Sequence, residues 1–342
     1  MTSAAADQRF VPWDVAWHDA LYGEHGFYRA AAASAHFRTS VHASPLLASA
    51  LVGLARGCGL SRVVDVGSGR GELLSAMADA HPDLDLVGVD VVGRPAGVAP
   101  GVRWLRSPGG ALLPDELDVH RSLVVAHEWL DDVPCPVAQV DDQRRWRAVH
   151  VDPATGEERL GPPVDRDHEA WLTTWWPAAE PRYRAEVGLP RDNAWARLVA
   201  AADGGVLLAV DYAHQREDRP PRGSLVGHRD GRVVPPVPDG SCDVTAHVAI
   251  DSVAQAGEAA GATQTVLTSQ HAALRSLGVT AELPGSSSAR TDPPGYLASL
   301  RRAGEAAELL DRGGLGSFTW LVQSRRSAAG PGSPRGAPGG TD

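Results

Sequence analysis

The stretch Arg62-Val63-Val64-Asp65-Val66-Gly67-Ser68-Gly69-Arg70-Gly71-Glu72-Leu73-Leu74 reads as a buried strand, a glycine-rich turn and the first turn of a helix. A mostly apolar strand suits a sheet covered on both faces. Glycines at alternate positions let the backbone take positive φ and let a ligand approach closely. The helix that follows offers unpaired N–H groups at its start. Together these features describe a nucleotide-type pocket.

Downstream, Leu84–Asp90 reads as a second strand ending in an acid, Val102–Leu105 as a third and Ser122–Ala126 as a fourth. The fourth runs into His127-Glu128-Trp129-Leu130-Asp131-Asp132-Val133-Pro134. Gly205–Val210 is a further buried strand that ends in Asp211-Tyr212, and Thr263–Leu267 and Ser317–Gln323 are the last two. Strands alternating with helices predict an α/β fold with a doubly wound, mostly parallel sheet. Ligands of such sheets lie outside the carboxyl ends of the strands. Asp65, Gly67, Asp90 and Glu128 all fall there.

The remaining segments fill in around this frame. Trp13–Tyr28 predicts a short helix, and Leu46–Leu54 a second that stops at Gly57-Cys58-Gly59. Val137–Val151 alternates about Asp141-Asp142-Gln143 and predicts a hairpin. Trp171, Trp175 and Trp176 fall on a helix broken by Pro177, and Asp192-Asn193 is placed to cap a helix through Ala202. His214–Ser241 reads as a long loop, Asp243–Ala260 as a helix, and Ser269–Leu277 and Leu297–Leu310 as two more. Pro284–Pro294 is loose, and the Gly/Pro/Ser-rich tail after Ser324 has the composition of disorder. The expected division is an N-terminal extension over 1–45 packing on the site, a core over 46–325 with insertions near 137–200 and 212–262, and a tail over 326–342.

Composition narrows the classes. The 342 residues allow one sizeable core plus insertions. No apolar run reaches the roughly 18 residues of a membrane span. Met1–Arg9 lacks a basic-then-apolar leader, which makes a cytoplasmic location the expectation. The net charge is −10 and all 32 basic residues are arginine, a balance that argues against a nucleic-acid surface. Cys58, Cys135 and Cys242 form no CxxC pair, so neither a metal site nor a disulfide framework is expected.

Asp65-x-Gly67-x-Gly69-x-Gly71 differs from the dinucleotide fingerprint, with its third glycine one residue early and an acid two residues before the first. An acid at the mouth opposes a pyrophosphate. It favours S-adenosylmethionine (SAM), which carries a sulfonium and an ammonium and no phosphate. Asp90 is placed to accept hydrogen bonds from ribose hydroxyls. The expected cofactor contacts are Asp65, Gly67, Ser68, Gly69, Gly71, Asp90 and Glu128. A nicotinamide oxidoreductase is a distant alternative, without an obvious hydride-handling partner.

With these residues in view, the chain resembles the MidA-like family of SAM-dependent methyltransferases, which includes the mitochondrial complex I assembly factor with protein-arginine methyltransferase activity. The resemblance runs from Gly26-Phe27-Tyr28 to Leu315-Gly316-Ser317-Phe318. Its segment like G-D-F-x-T-S is His36-Phe37-Arg38-Thr39-Ser40, and its acid-and-glycine motif is Asp65–Leu73. Its N-E-x-x-D-A-x-P is His127–Pro134, its D-Y-G is Asp211-Tyr212-Ala213, and its D-x-T-A-H-V is Asp243–Val248. A T-Q-x-x-F-L-x-x-L-G element stands at Ser269–Gly278. Departures are His36 for Asp, His42 for Glu, His127 for Asn and Ala213 for Gly.

The resemblance implies a Rossmann-like, class I methyltransferase core of seven strands, mostly parallel, with helical and loop insertions. It also implies a protein or peptide acceptor, arginine in the mitochondrial member, and so a partner such as a respiratory-complex subunit. A small-molecule O- or N-methyltransferase and a non-catalytic assembly factor are the alternatives.

Methyl transfer needs positioning above all. A guanidinium acceptor is protonated in water, and carboxylates can orient it and take its proton. Glu128 and Asp131, after the fourth strand, are the first candidates for that work, and the resemblance adds Asp243 and His247. Each has a plainer reading: Glu128 as a cofactor contact, Asp131 and Asp132 as first-turn helix acids, and Asp243 as a helix cap. His36 and His42 read as solvated loop residues.

Overall fold

The computed structural model describes residues 9–29, 45–176, 180–286 and 288–326. The segment His36–Ser40, His42, Pro177 and the tail beyond 326 lie outside the described residues.

The central sheet has seven strands: β1 (Arg62–Val66), β2 (Asp85–Asp90), β3 (Val102–Arg106), β4 (Ser122–His127), β5 (Val206–Asp211), β6 (Gln264–Ser269) and β7 (Thr319–Ser324). Their order across the sheet is β6-β7-β5-β4-β1-β2-β3. All neighbours are parallel from β3 through β5. Only β7 runs against its neighbours, pairing antiparallel with both β5 and β6. The sheet is therefore mixed.

Strand alternation distributes the core over both faces. Val63, Leu123, Val125, Leu208 and Val210 enter one apolar cluster, while Val64, Val66, Val124, Ala126, Leu207 and Ala209 enter the other. Each fully buried aliphatic side chain contributes about 1.5–3 kcal/mol. The first face is covered by the helices Pro45–Gly57, Glu72–Ala80, Gln270–Ser276 and Pro293–Leu310, and the second by Leu189–Ala201 and Ile250–Ala259.

The insertion after β4 builds a separate antiparallel sheet. The hairpin Val137–Val140/Trp146–Val151 forms as expected, joined by Glu158–Pro163, Arg184–Glu186 and the short N-terminal strand Val11–Pro12. The helix Trp13–Tyr22 packs Trp13, Trp17 and Leu21 against this sheet and against Val244 and Cys242. The Trp17 indole donates to the Val244 carbonyl at 2.6 Å. These contacts dock the N-terminal segment beside the carboxyl ends of the central strands.

Several local expectations are corrected. His214–Ser241 is not one loop: Val226–Arg229 and Arg232–Val234 form a hairpin, and Val226–Arg229 also pairs with Asp243–Thr245. Asp243–Ala260 is not one helix, because Asp243–Thr245 and Val248–Ala249 are strands and the helix begins at Ile250. Asp243 is therefore a strand residue and no cap. Asp192 does not cap either, since its helix already begins at Leu189. Its buried carboxylate instead accepts from the Trp171 indole at 2.7 Å and the Ser252 hydroxyl at 2.5 Å, tying three segments together. Asp131 and Asp132 lie in a turn that no helix follows. Among the described residues, no helix is long and apolar enough to cross a membrane.

Candidate functional site

Gly67, Gly69 and Gly71 all have positive φ, at 75°, 56° and 75°. At Gly71 the requirement is also spatial: a Cβ there would stand 2.8 Å from Val98 Cγ2 and 3.2 Å from Trp104. At Gly67 it would stand 3.3 Å from the Trp129 side chain, in the mouth of the turn. The turn closes on two acids. The Ser68 hydroxyl donates to Asp65 Oδ2 at 2.7 Å, and the Gly69 N–H donates to Asp90 Oδ2 at 2.8 Å. The Val92 N–H donates to the other Asp90 oxygen at 3.0 Å. Burial raises both carboxyl pKa values to about 6, against the lowering effect of these hydrogen bonds.

A cavity of about 570 Å³ opens over this turn. Its first wall is the cofactor-type set: Asp65, Gly67, Ser68, Gly69, Asp90 and Glu128. Gly71 sits behind that wall as the buried N-cap of the helix Glu72–Ala80. The opposite wall is acidic and tyrosine-lined, with Asp131, Asp132, Asp243, Tyr22 and Tyr28. His247 is outside the lining; it is exposed and stacks on Tyr212 with ring centroids 5.8 Å apart.

Glu128 holds its position through the backbone. Its N–H donates to the Val210 carbonyl at 2.8 Å, and its φ is 51°. A left-handed backbone at a non-glycine residue costs on the order of 1–3 kcal/mol and persists where surrounding structure enforces it. Asp211 supplies part of that enforcement: its Oδ2 accepts from the N–H groups of Leu130 and Asp131, at 3.1 and 3.2 Å. Arg191, 1% exposed, fixes the same turn from below. Its guanidinium donates to the carbonyls of Asp131, Val133, Ala246 and His247.

The carboxylates themselves are under-satisfied. Among the described residues, Asp131 Oδ1, Asp211 Oδ1 and His127 Nε2 are buried without a hydrogen-bond partner, while Glu128 Oε1 lies 3.2 Å from His127 Nδ1. Burial and neighbouring like charge push the Asp131 pKa up to about 7, Asp243 to about 8, and Asp132 and Asp211 well above the usual carboxylate range. Arg191 is a buried cation close enough to oppose this at Asp131 and Asp211, but its hydrogen bonds go to carbonyls. Buried acids in this state favour a bound cation.

SAM meets the donor set on both counts. The glycine turn leaves room that a Cβ at Gly67 would take up, and the acids around it suit a sulfonium and an ammonium. Residues missed from sequence are Tyr22, Tyr28, Arg191 and the cavity role of Asp132. Gly26-Phe27-Tyr28 was legible as a motif, but nothing in it tells which carboxylates the hydroxyl meets.

Known structures share this architecture. A Burkholderia thailandensis protein crystallised with S-adenosyl-homocysteine is 25% identical, with 94% of this chain and 89% of that chain covered and a TM-score of 0.75. An uncharacterized protein from the same organism is 26% identical over the same shares, with a TM-score of 0.74. No curated protein matches the chain. Residues 98–268, half of the chain, match the family described as "Putative S-adenosyl-L-methionine-dependent methyltransferase". The chain belongs to that SAM-dependent methyltransferase family.

Proposed function

We propose that this methyltransferase modifies a cationic nitrogen of a protein side chain, the guanidinium of arginine. The observation that carries the reading is the wall opposite the glycine turn, where Asp131, Asp132 and Asp243 gather, Asp131 Oδ1 keeps no partner among the described residues, and the buried guanidinium of Arg191 makes its hydrogen bonds to carbonyls. A neutral hydroxyl acceptor gives such acids little compensation. A guanidinium offers five N–H donors and a delocalised charge.

The cofactor, when bound, supplies an electrophilic methyl group. Asp65 and the Gly67–Gly69 backbone hold its cationic end, and Asp90 faces its ribose. Glu128 and Asp131 orient the acceptor nitrogen, and Asp131 Oδ1 receives the proton that the nitrogen gives up. A carboxyl with its pKa near 7 is suited to that exchange at neutral pH. His247 then acts outside the cavity, stacked on Tyr212 at the rim.

The test is transfer of labelled methyl from SAM to an arginine-containing peptide and to proteins of a cell extract, followed by amino-acid analysis. Methylarginine in the hydrolysate is the expected result. Label on lysine alone, or only in the small-molecule fraction, overturns the acceptor assignment. No transfer to anything, with SAM bound, favours an assembly factor that keeps the fold.

A further inference from the structure

The N-terminal segment brings one hydroxyl between two acids. Tyr28 Oη lies 2.5 Å from Asp132 Oδ2 and 2.9 Å from Asp243 Oδ1. A tyrosine hydroxyl has one proton, and ionised carboxylates only accept. Both contacts are hydrogen bonds only if a second proton sits in the group, on one of the two acids. Around the group are Tyr22, whose hydroxyl donates to the Asp132 carbonyl at 3.1 Å, and Arg29, whose Nε donates to the Tyr22 carbonyl at 2.8 Å. Asp131 and Glu128 face it from the turn after β4, Asp211 from the end of β5, Asp90 from the end of β2, and Arg191 from the helix Leu189–Ala201. His228 completes the lining from the hairpin. Acids therefore crowd the pair, and Asp131 Oδ1, on a residue 5% exposed that lines the same cavity, has no partner among the described residues.

We infer that Tyr28, Asp132 and Asp243 form the subsite for the cationic group of the acceptor, holding one shared proton that leaves to solvent when that group enters. This rests on the cationic-acceptor reading above. Charge balances at the subsite: the one positive charge of the entering guanidinium arrives as one proton departs, so the pair passes from singly to doubly ionised, and any second charge of the ligand stays outside it. Tyr28 is a positioning residue. Its hydrogen bonds favour the ionised acids and keep the two carboxyl groups spaced to receive a planar, two-pronged donor. The pair titrates as a unit, so the proton belongs to neither acid alone.

The probe is agmatine, titrated calorimetrically into the protein saturated with S-adenosyl-homocysteine, in buffers of different ionisation enthalpy. Wild-type protein releases about one proton per agmatine near pH 7, so affinity rises about tenfold per pH unit while the pair is protonated. Asp132→Asn and Asp243→Asn each cut the release to what Asp131 alone supplies and flatten that slope. Tyr28→Phe keeps the release but moves the slope to higher pH, weakening binding near neutrality and recovering it in alkali, which a purely structural loss does not do. Retained S-adenosyl-homocysteine binding shows that each variant is folded. Release unchanged in both asparagine variants, or absent in wild type, overturns the exchange. So does failure of agmatine to bind the loaded wild-type protein. The methyl-label experiment fails separately: label on lysine with the proton exchange intact removes arginine as acceptor and leaves the subsite standing.

Discussion

The two walls of the cavity are built by different means. The glycine turn comes from one stretch, Arg62–Leu74, plus Asp90 one strand later, and its carboxylates are met by nearby donors: Ser68, Gly69 and Val92. The acidic wall comes from segments far apart in the chain. Tyr28 meets Asp243 across 215 positions, and Asp211 holds Asp131 across 80. The first wall is largely satisfied within itself. On the second, Asp131 Oδ1 has no partner among the described residues, and the pKa values of Asp131 and Asp243 are raised to about 7 and 8, beyond the value near 6 of Asp65 and Asp90. The first wall is complete before a ligand arrives; on the proposed reading, the second has its charge balanced by the acceptor.

The largest effect should fall on the acidic wall. Asp131→Asn keeps the shape and removes the proton acceptor, and turnover should fall roughly 10²–10⁴-fold with SAM affinity little changed. Equal losses in both quantities would show that the walls are not separable. On the glycine wall, Gly71→Val combines a φ of 75° with a Cβ 2.8 Å from Val98. Strain and overpacking of this kind cost about 1–3 kcal/mol each. SAM binding by calorimetry should fall at least tenfold, with a lower melting temperature.

Asp90→Ala removes the hydrogen bonds that its carboxylate accepts from the Gly69 and Val92 N–H groups, and bonds to a charged group are worth about 1.5–3 kcal/mol. Cofactor affinity should drop by one or two orders of magnitude on that scale. Unchanged affinity would remove Asp90 from the cofactor wall.

The acids also set a pH dependence. Asp65 and Asp90 near 6, Asp131 near 7 and Asp243 near 8 all lie above the ordinary 3.8. Through these four groups the folded protein binds more protons than the unfolded chain between about pH 4 and 8, and their contribution to stability is lost as pH rises through that window; His18, His214, His228 and His247, held below their ordinary pKa by burial, act in the opposite sense up to about pH 6.5. The melting temperature of the ligand-free protein should fall from about pH 7 to 8, where Asp131 and Asp243 lose their protons and the histidines no longer titrate. Asp131→Asn with Asp243→Asn should flatten the decline. A decline unaltered by that pair would assign it to other groups. The smallest effect on the site is Trp17→Phe, which removes the buried hydrogen bond to Val244 and leaves a void where the indole packed; it should cost about 1–3 kcal/mol in denaturant unfolding while leaving SAM affinity unchanged.

Local chemistry made the frame readable. The mostly apolar runs of Arg62–Val66, Ser122–His127 and Val206–Asp211, the glycines at 67, 69 and 71, and the strand-end acids are properties of short windows, where backbone geometry and burial act residue by residue. The same reasoning failed at Asp243 and at Asp131–Asp132. An acid before an apolar run looks like a cap, and only cross-strand pairing with Val226–Arg229 makes Asp243–Thr245 a strand. His214–Ser241 looked like a loop for the same reason, since its Pro and Gly content hides a hairpin whose partner is distant.

By itself the sequence determined an α/β sheet with a SAM-type turn at the end of its first central strand, because a strand, a positive-φ turn and a helix start are encoded contiguously. Tertiary structure alone decided which acids meet. Packing of Trp13, Trp17 and Leu21 on the inserted sheet carries Tyr28 to Asp132 and Asp243, and buried Arg191 pins the turn that aims Asp131. Side-chain charge is written in the sequence, but its burial and its neighbours are not. Those set the ionisation of the acidic wall, and with it the class of molecule that the second half of the cavity favours.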